Sequence, residues 1–111
     1  MKILKILAVA LAIPLTANAC PNIENGSGML TNGSDVWTFG PAYGSGWELF
    51  IDGTWAGGGL GTEIEIVNGQ VYTLGTDGKF WSWTTGRYWA TTGTSSDPCP
   101  SQKSYMLLHG S

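Results

Sequence analysis

Val36-Trp37-Thr38-Phe39-Gly40 returns 35 residues later as Val71-Tyr72-Thr73-Leu74-Gly75. The blocks behind each copy return with it. Gly44 and Trp47 come back as Gly78 and Trp81, Asp52-Gly53 as Thr85-Gly86, and Trp55-Ala56 as Trp89-Ala90. The small changes in spacing are adjustments of turn length. Self-similarity at a period of about 20–50 residues marks an architecture of stacked supersecondary units, each unable to bury its apolar face alone.

The units read as strands. Asn32-Gly33, Asp52-Gly53, Asn68-Gly69 and Asp77-Gly78 are the dipeptides favoured in two-residue hairpin turns, where both central residues take positive φ. Between them, Thr62-Glu63-Ile64-Glu65-Ile66 alternates with both isoleucines on one face, and short strand-like runs follow at 70–74, 79–84 and 87–91. No apolar run keeps helical spacing across three turns, and 17 glycines argue against helices. Each unit is expected to hold three strands: Val-aromatic-Thr-apolar-Gly, then Gly-x-x-Trp, then Trp-Ala. The expected fold is an all-β antiparallel meander of two such units, three- to four-stranded, arranged as propeller-like blades or a small sandwich over residues 35–98. Residues 57–61 read as a flexible glycine hinge, and the strand at 63–67 as the link between units. Residues 20–34 read as a mostly irregular lead-in. In the tail at 99–111, Tyr105-Met106-Leu107-Leu108 fits a closing strand or a short helix.

Residues 1–19 have the form of a secretory signal peptide. Lys2 and Lys5 precede an apolar run, and Ala17-Asn18-Ala19 is a small-residue cleavage site. The run is too short to span a bilayer, so the expected location is secreted or periplasmic. The remaining 92 residues suffice for one domain. They carry Lys79, Arg87 and Lys103 against eight carboxylates, a formal charge of −5. That balance argues against nucleic acid and against anionic membrane surfaces. Cys20 and Cys99 bracket the domain, and in an oxidising compartment they are expected to form a disulfide. A lipid anchor on Cys20 is the alternative. It would leave Cys99 unpaired, and Ala17-Asn18-Ala19 lacks the large aliphatic residue usual before a lipidated cysteine.

Asp35-Val36-Trp37-Thr38, the turn Asp52 to Gly58, Val67 to Tyr72, Asp77 to Trp83, Trp89 and Ser96-Asp97-Pro98 together resemble a Trp-rich β-repeat of secreted bacterial proteins. The resemblance covers residues 35 to 98. It implies propeller-blade-like modules that often accompany carbohydrate-active enzymes, and hence an accessory, glycan-facing role. It implies no reaction, and two repeats fall short of a closed propeller.

Six Trp, four Tyr and three Phe lie between Trp37 and Tyr105. Such rings stack on the apolar C–H faces of sugars, and they also build the core of a thin β domain. The pairs Trp37/Tyr72, Trp47/Trp81 and Trp55/Trp89 recur at equivalent places, so a shared packing role is expected of them. The unmatched rings Tyr43, Phe80, Trp83 and Tyr88 are the candidate ligand-binding residues. Glu63 and Glu65 share a strand face about 7 Å apart, between the carboxylate spacings of retaining and inverting glycosidases. With no sequence neighbour to raise their pKa, they read as a solvated face opposite Ile64 and Ile66. His109 is the single histidine, too little for a triad or a histidine-based metal site. No Asp-x-Asp-x-Asp calcium loop and no phosphate loop is present, and no cofactor is called for. The function expected from the sequence is a secreted, non-catalytic module binding glycan. A protein-interaction or cell-envelope structural module, or a self-associating one, is the alternative, and a small glycoside hydrolase a more remote one.

Overall fold

The computed structural model describes residues 20–100. Residues 1–19, read from the sequence as a signal peptide, and the tail beyond residue 100, including the proposed closing segment at 105–108, lie outside them. Among the described residues there are eight strands and no helix: β1 (Asn22–Glu24), β2 (Leu30–Asn32), β3 (Asp35–Tyr43), β4 (Gly46–Ile51), β5 (Thr54–Val67), β6 (Gln70–Gly75), β7 (Phe80–Trp83) and β8 (Trp89–Thr91). All fall within the compact unit Pro21–Pro98. Cys20 and Cys99, which flank that unit in sequence, belong to a second unit with the termini and are joined by a disulfide. Both sulfurs are therefore used in the bond. No helix among the described residues is long and apolar enough to cross a membrane.

From β2 to β8 each strand pairs antiparallel with its successor, and β1 pairs with β5. This is the expected meander. The hairpin chemistry is where the sequence places it for two of the turns: Asp52 and Gly53 have φ of 51° and 81°, and Asn68 and Gly69 have 50° and 80°. Two left-handed residues in a row give the turn whose twist matches the flanking strands. At the 33 and 78 positions only the glycine is left-handed.

Two expectations change. The 20–34 lead-in carries β1 and β2, strands of three residues each, too short for alternation to announce them. The glycine stretch at 57–61 is strand rather than hinge, inside the 14-residue β5. Gly57 and Gly58 have φ of 88° and 90°, a conformation that L side chains rarely adopt and that marks a bend within a strand. β5 pairs with β4 on both sides of the bend, at Thr54 and Trp55 and again at Leu60 and Gly61, and from Glu63 to Glu65 it runs between β1 and β6. The two sequence units are thus continuous in one sheet through β5.

Trp37 is the centre of the core. It is fully buried, among Leu30, Leu49, Ile51, Ile64 and Val71. Its ring meets Trp83 edge-on with centroids 5.2 Å apart, and Trp89 at 5.5 Å. Strand β3 therefore faces β7 and β8 across the interior, although β4, β5 and β6 separate them in the sheet. The sheet folds over on itself about β5. The rings matched by the repeat do not share one degree of burial. Trp37 is buried and Tyr72 half-buried, while Trp89 is half-buried and Trp55 is 52 % exposed.

Candidate functional site

The hairpin joining β7 to β8 is built to present side chains. Arg87 N–H donates to the Thr84 carbonyl and Thr84 N–H to the Tyr88 carbonyl, each at 2.9 Å. Arg87 sits at φ 65°, uncommon for a non-glycine residue. Its guanidinium carbon stands 5.8 Å from the centre of the Trp83 ring, within cation–π range. Across the hairpin Trp83 pairs with Trp89, ring centroids 4.9 Å apart.

Two clefts open beside this tryptophan pair. The first, of about 310 Å³, is walled by Trp81 and Trp89, with Gly58, Gly59 and Leu60 of β5, and reaches down to Leu49. Asp77 lies on its rim, where its Oδ1 accepts hydrogen bonds from Trp81 Nε1 at 3.3 Å and Lys79 N–H at 3.0 Å. Those bonds hold the Asp77 carboxyl below its ordinary pKa, the Lys79 backbone bond first. The second cleft, also about 310 Å³, is lined by Trp55, Trp83, Arg87, Asp52, Thr54 and Ala56 and reaches down to Ile51. The clefts lie in series along β5, residues 54–56 lining one and 58–60 the other.

The candidate ligand residues separate in the structure. Tyr43, at the end of β3, is 58 % exposed and Tyr88, in the β7–β8 hairpin, is 60 % exposed. Trp83 is half-buried, with one side on Trp37 and Trp89. Phe80 is a correction: only 4 % exposed, and opposite Leu74 in the sheet register, it offers no stacking surface. Of the four, Trp83 alone lines a cleft; neither tyrosine does. Trp55, Trp81 and Arg87 enter the clefts without having been singled out. The repeat assigned Trp55 and Trp81 to packing, because a shared position implies a shared role only where both copies meet the same neighbours.

The two glutamates form the other polar constellation, and here the structure overturns the expected solvated face. Cross-strand register sets Asn22, Glu65 and Tyr72 in one row and Glu24, Glu63 and Leu74 in the next. Glu65 is only 2 % exposed. Asp97 comes against it from the segment after β8, so that Glu63, Glu65 and Asp97 hold carboxylate oxygens all within 4.8 Å of one another. Burial, a hydrogen bond with the Asp97 carboxyl and the charges of Asp97 and Glu63 push the Glu65 pKa up to about 8. Glu63 is also raised, chiefly by burial, while Asn22 Nδ2 donates to its Oε2 at 2.8 Å and opposes the shift. The paired carboxyls of a glycosidase stand about 5–9.5 Å apart with the scissile bond between them. Here the space beside Glu65 is taken by Asp97. No sequence signal pointed to Asp97, because its approach to β5 is a non-local contact.

Comparison with protein-family models, curated proteins and solved structures returned no match to this chain.

Proposed function

We propose that the chain is an exported, non-catalytic module that binds glycan along the groove made by the two serial clefts. The observation that carries this reading is tryptophan surface placed beside polar groups. Trp55 and Trp83 line one cleft with Asp52, Thr54 and Arg87; Trp81 and Trp89 wall the next beside Asp77 and Thr76. Pyranoses need this pairing of an apolar ring face with hydroxyl acceptors and donors, and open tryptophan supplies the larger share of contact area. Gly57 alone separates the two linings along β5, so one short oligosaccharide can engage both clefts. The disulfide and the signal-peptide form of residues 1–19 support placement outside the cytoplasm. Edge pairing with a protein partner is less well supported. The terminal strands of the sheet path, β2 and β8, have three residues each, and short edges resist strand addition.

The test is retention of the oxidised protein on a panel of insoluble polysaccharides and a glycan array, beside Trp55→Ala. Trp55 is exposed, so its truncation should leave the fold intact and weaken binding about tenfold, ~1.4 kcal/mol. Native circular dichroism with no retention on any glycan would overturn the reading.

A further inference from the structure

We propose that the groove selects a glycan with isolated carboxylates, one uronic acid sitting in the second cleft against Arg87. The inference rests on the glycan reading and names the class of sugar that the same groove takes. Among the described residues, Arg87 is the one side-chain cation lining either cleft. Turn chemistry does not select it there. Thr85, Gly86 and Arg87 form a three-residue hairpin loop, closed by the hydrogen bonds of Thr84 to Arg87 and Tyr88. In such loops a left-handed residue follows the turn, and glycine suits that position. Here the glycine comes one position early, and Arg87 takes the left-handed conformation at φ 65°. Its exposed cation–π contact with Trp83 returns no more than that backbone costs. What accounts for a long cationic side chain at this position is the charge it presents to the cleft.

The guanidinium is seated before any ligand arrives. It stands 5.8 Å from the centre of the Trp83 ring, and that ring is itself held by Trp37 at 5.2 Å and Trp89 at 4.9 Å. Arginine carries its N–H donors around a planar fork that matches the two oxygens of a carboxylate, so a guanidinium resting over a ring can still grip an acid edge-on. Beside it, exposed Trp55 offers ring surface to the C–H face of the same sugar. Charge then limits how many acids the ligand carries. Asp52 lines the same cleft, its Oδ1 accepting the Val36 N–H at 2.8 Å. Asp77 lines the first cleft, whose lining holds no cation. Both carboxylates suit sugar hydroxyls and repel further anions. A polymer charged on every sugar, or bearing sulfate as well, would set negative groups against them. A chain that alternates an acid with a neutral sugar offers the acid to Arg87 and hydroxyls to Asp77.

The experiment is calorimetric titration of the full oxidised protein with hexasaccharides that alternate a uronic acid with a neutral sugar. Each is run beside its carboxyl-reduced, uncharged form and its sulfated form. For at least one backbone the acidic form should bind about tenfold more tightly than the reduced form, and the sulfated form more weakly than the acidic one. The preference should shrink as salt is raised from about 0.05 to about 0.5 M. Arg87→Gly places glycine where the backbone favours it, so the fold is at little risk, and the ratio of acidic to reduced affinity should fall to about one. Arg87→Lys keeps the charge without the fork and should retain only a part of the preference. Equal affinity for acidic and reduced forms, a preference that persists in Arg87→Gly, or tighter binding of the sulfated form would overturn this assignment and leave the groove standing. Binding of none of the forms, or of any neutral glycan, by natively folded protein would overturn both.

Discussion

Truncating Trp37 should do more damage than any other single side-chain change in the β unit, and the way it fails is informative. The ring is fully buried and touches the rings of Trp83 and Trp89. A buried aromatic removes about 150–250 Å² from water, which at about 25 cal/mol per Å² gives about 4–6 kcal/mol. One term works the other way: the indole Nε1 is buried without a hydrogen-bond partner, a desolvation cost of about 1–3 kcal/mol. Trp37→Ala loses the ring and leaves a cavity, so a net loss of about 4 kcal/mol is expected. Trp37→Phe keeps a ring against Trp83 and deletes the orphaned N–H, so the two effects largely offset and the loss should be about 1 kcal/mol. In a domain of this size, each kcal/mol moves Tm by about 4–8 °C. Urea unfolding with the disulfide intact, followed by far-UV circular dichroism at constant m, measures both variants. Equal losses for Phe and Ala would show that the N–H carries no cost. A loss below about 1.5 kcal/mol for Ala would show that the sheet does not fold around this ring.

Reducing the Cys20–Cys99 bond, whose partners are 79 residues apart, should cost about 4.5 kcal/mol by loop-closure entropy, read as a fall in the urea midpoint with and without reductant. Gly61→Ala would place its Cβ on Thr73 Oγ1, at 3.2 Å from the Leu74 carbonyl oxygen, and should cost about 1–3 kcal/mol. Gly33→Ala meets nothing nearby but has φ 64°, so its penalty of about 1 kcal/mol is conformational alone; a milder result at 61 than at 33 would refute the packing argument. Glu65 sits at about 8 rather than 4.5, with burial the first cause. An acid raised in the folded state contributes stability that is complete below about pH 4.5 and is lost as pH rises through about 8. The shift bounds the effect at about 5 kcal/mol, and solvent screening reduces it to about 2–3 kcal/mol. Glu63, also raised, acts in the same direction. Urea midpoints taken across that window should fall as pH rises, and Glu65→Gln should flatten the curve; a midpoint that climbs instead would show that Glu65 is ionised in the folded state.

Much of the fold was legible because it is made of local rules. Asp52-Gly53 and Asn68-Gly69 announce their hairpins through backbone conformations that few other residues adopt. Alternation in Thr62–Ile66 correctly put Ile64 in the core. What alternation could not show is that the opposite face of β5 is also covered. A two-period pattern says only that two faces differ, and Glu65 was assigned to water because the residue that covers it, Asp97, is distant in sequence. Gly57 and Gly58 read as hinge because glycine weakens strands on average; here they form an irregularity within the continuous pairing of β5 with β4. The repeat showed where strands recur, but not which copy of each tryptophan is covered. Burial depends on what lies across the interior, and for Trp37 that is the second unit itself.

Strand β1 stands apart from the rest of the sheet in one respect. From β2 to β7 each strand hydrogen-bonds to its immediate successor, whereas Asn22, Ile23 and Glu24 wait for Glu65, Ile64 and Glu63. In a chain that emerges from its N-terminal end, β1 would therefore find only the local Glu24–Ser27 bridge before β5 arrives. It would stay extended and threadable until the middle of the chain had followed, and only then close the sheet. The order in which partners arrive is written into the pairing scheme: β1 closes onto the sheet only after β5 is present.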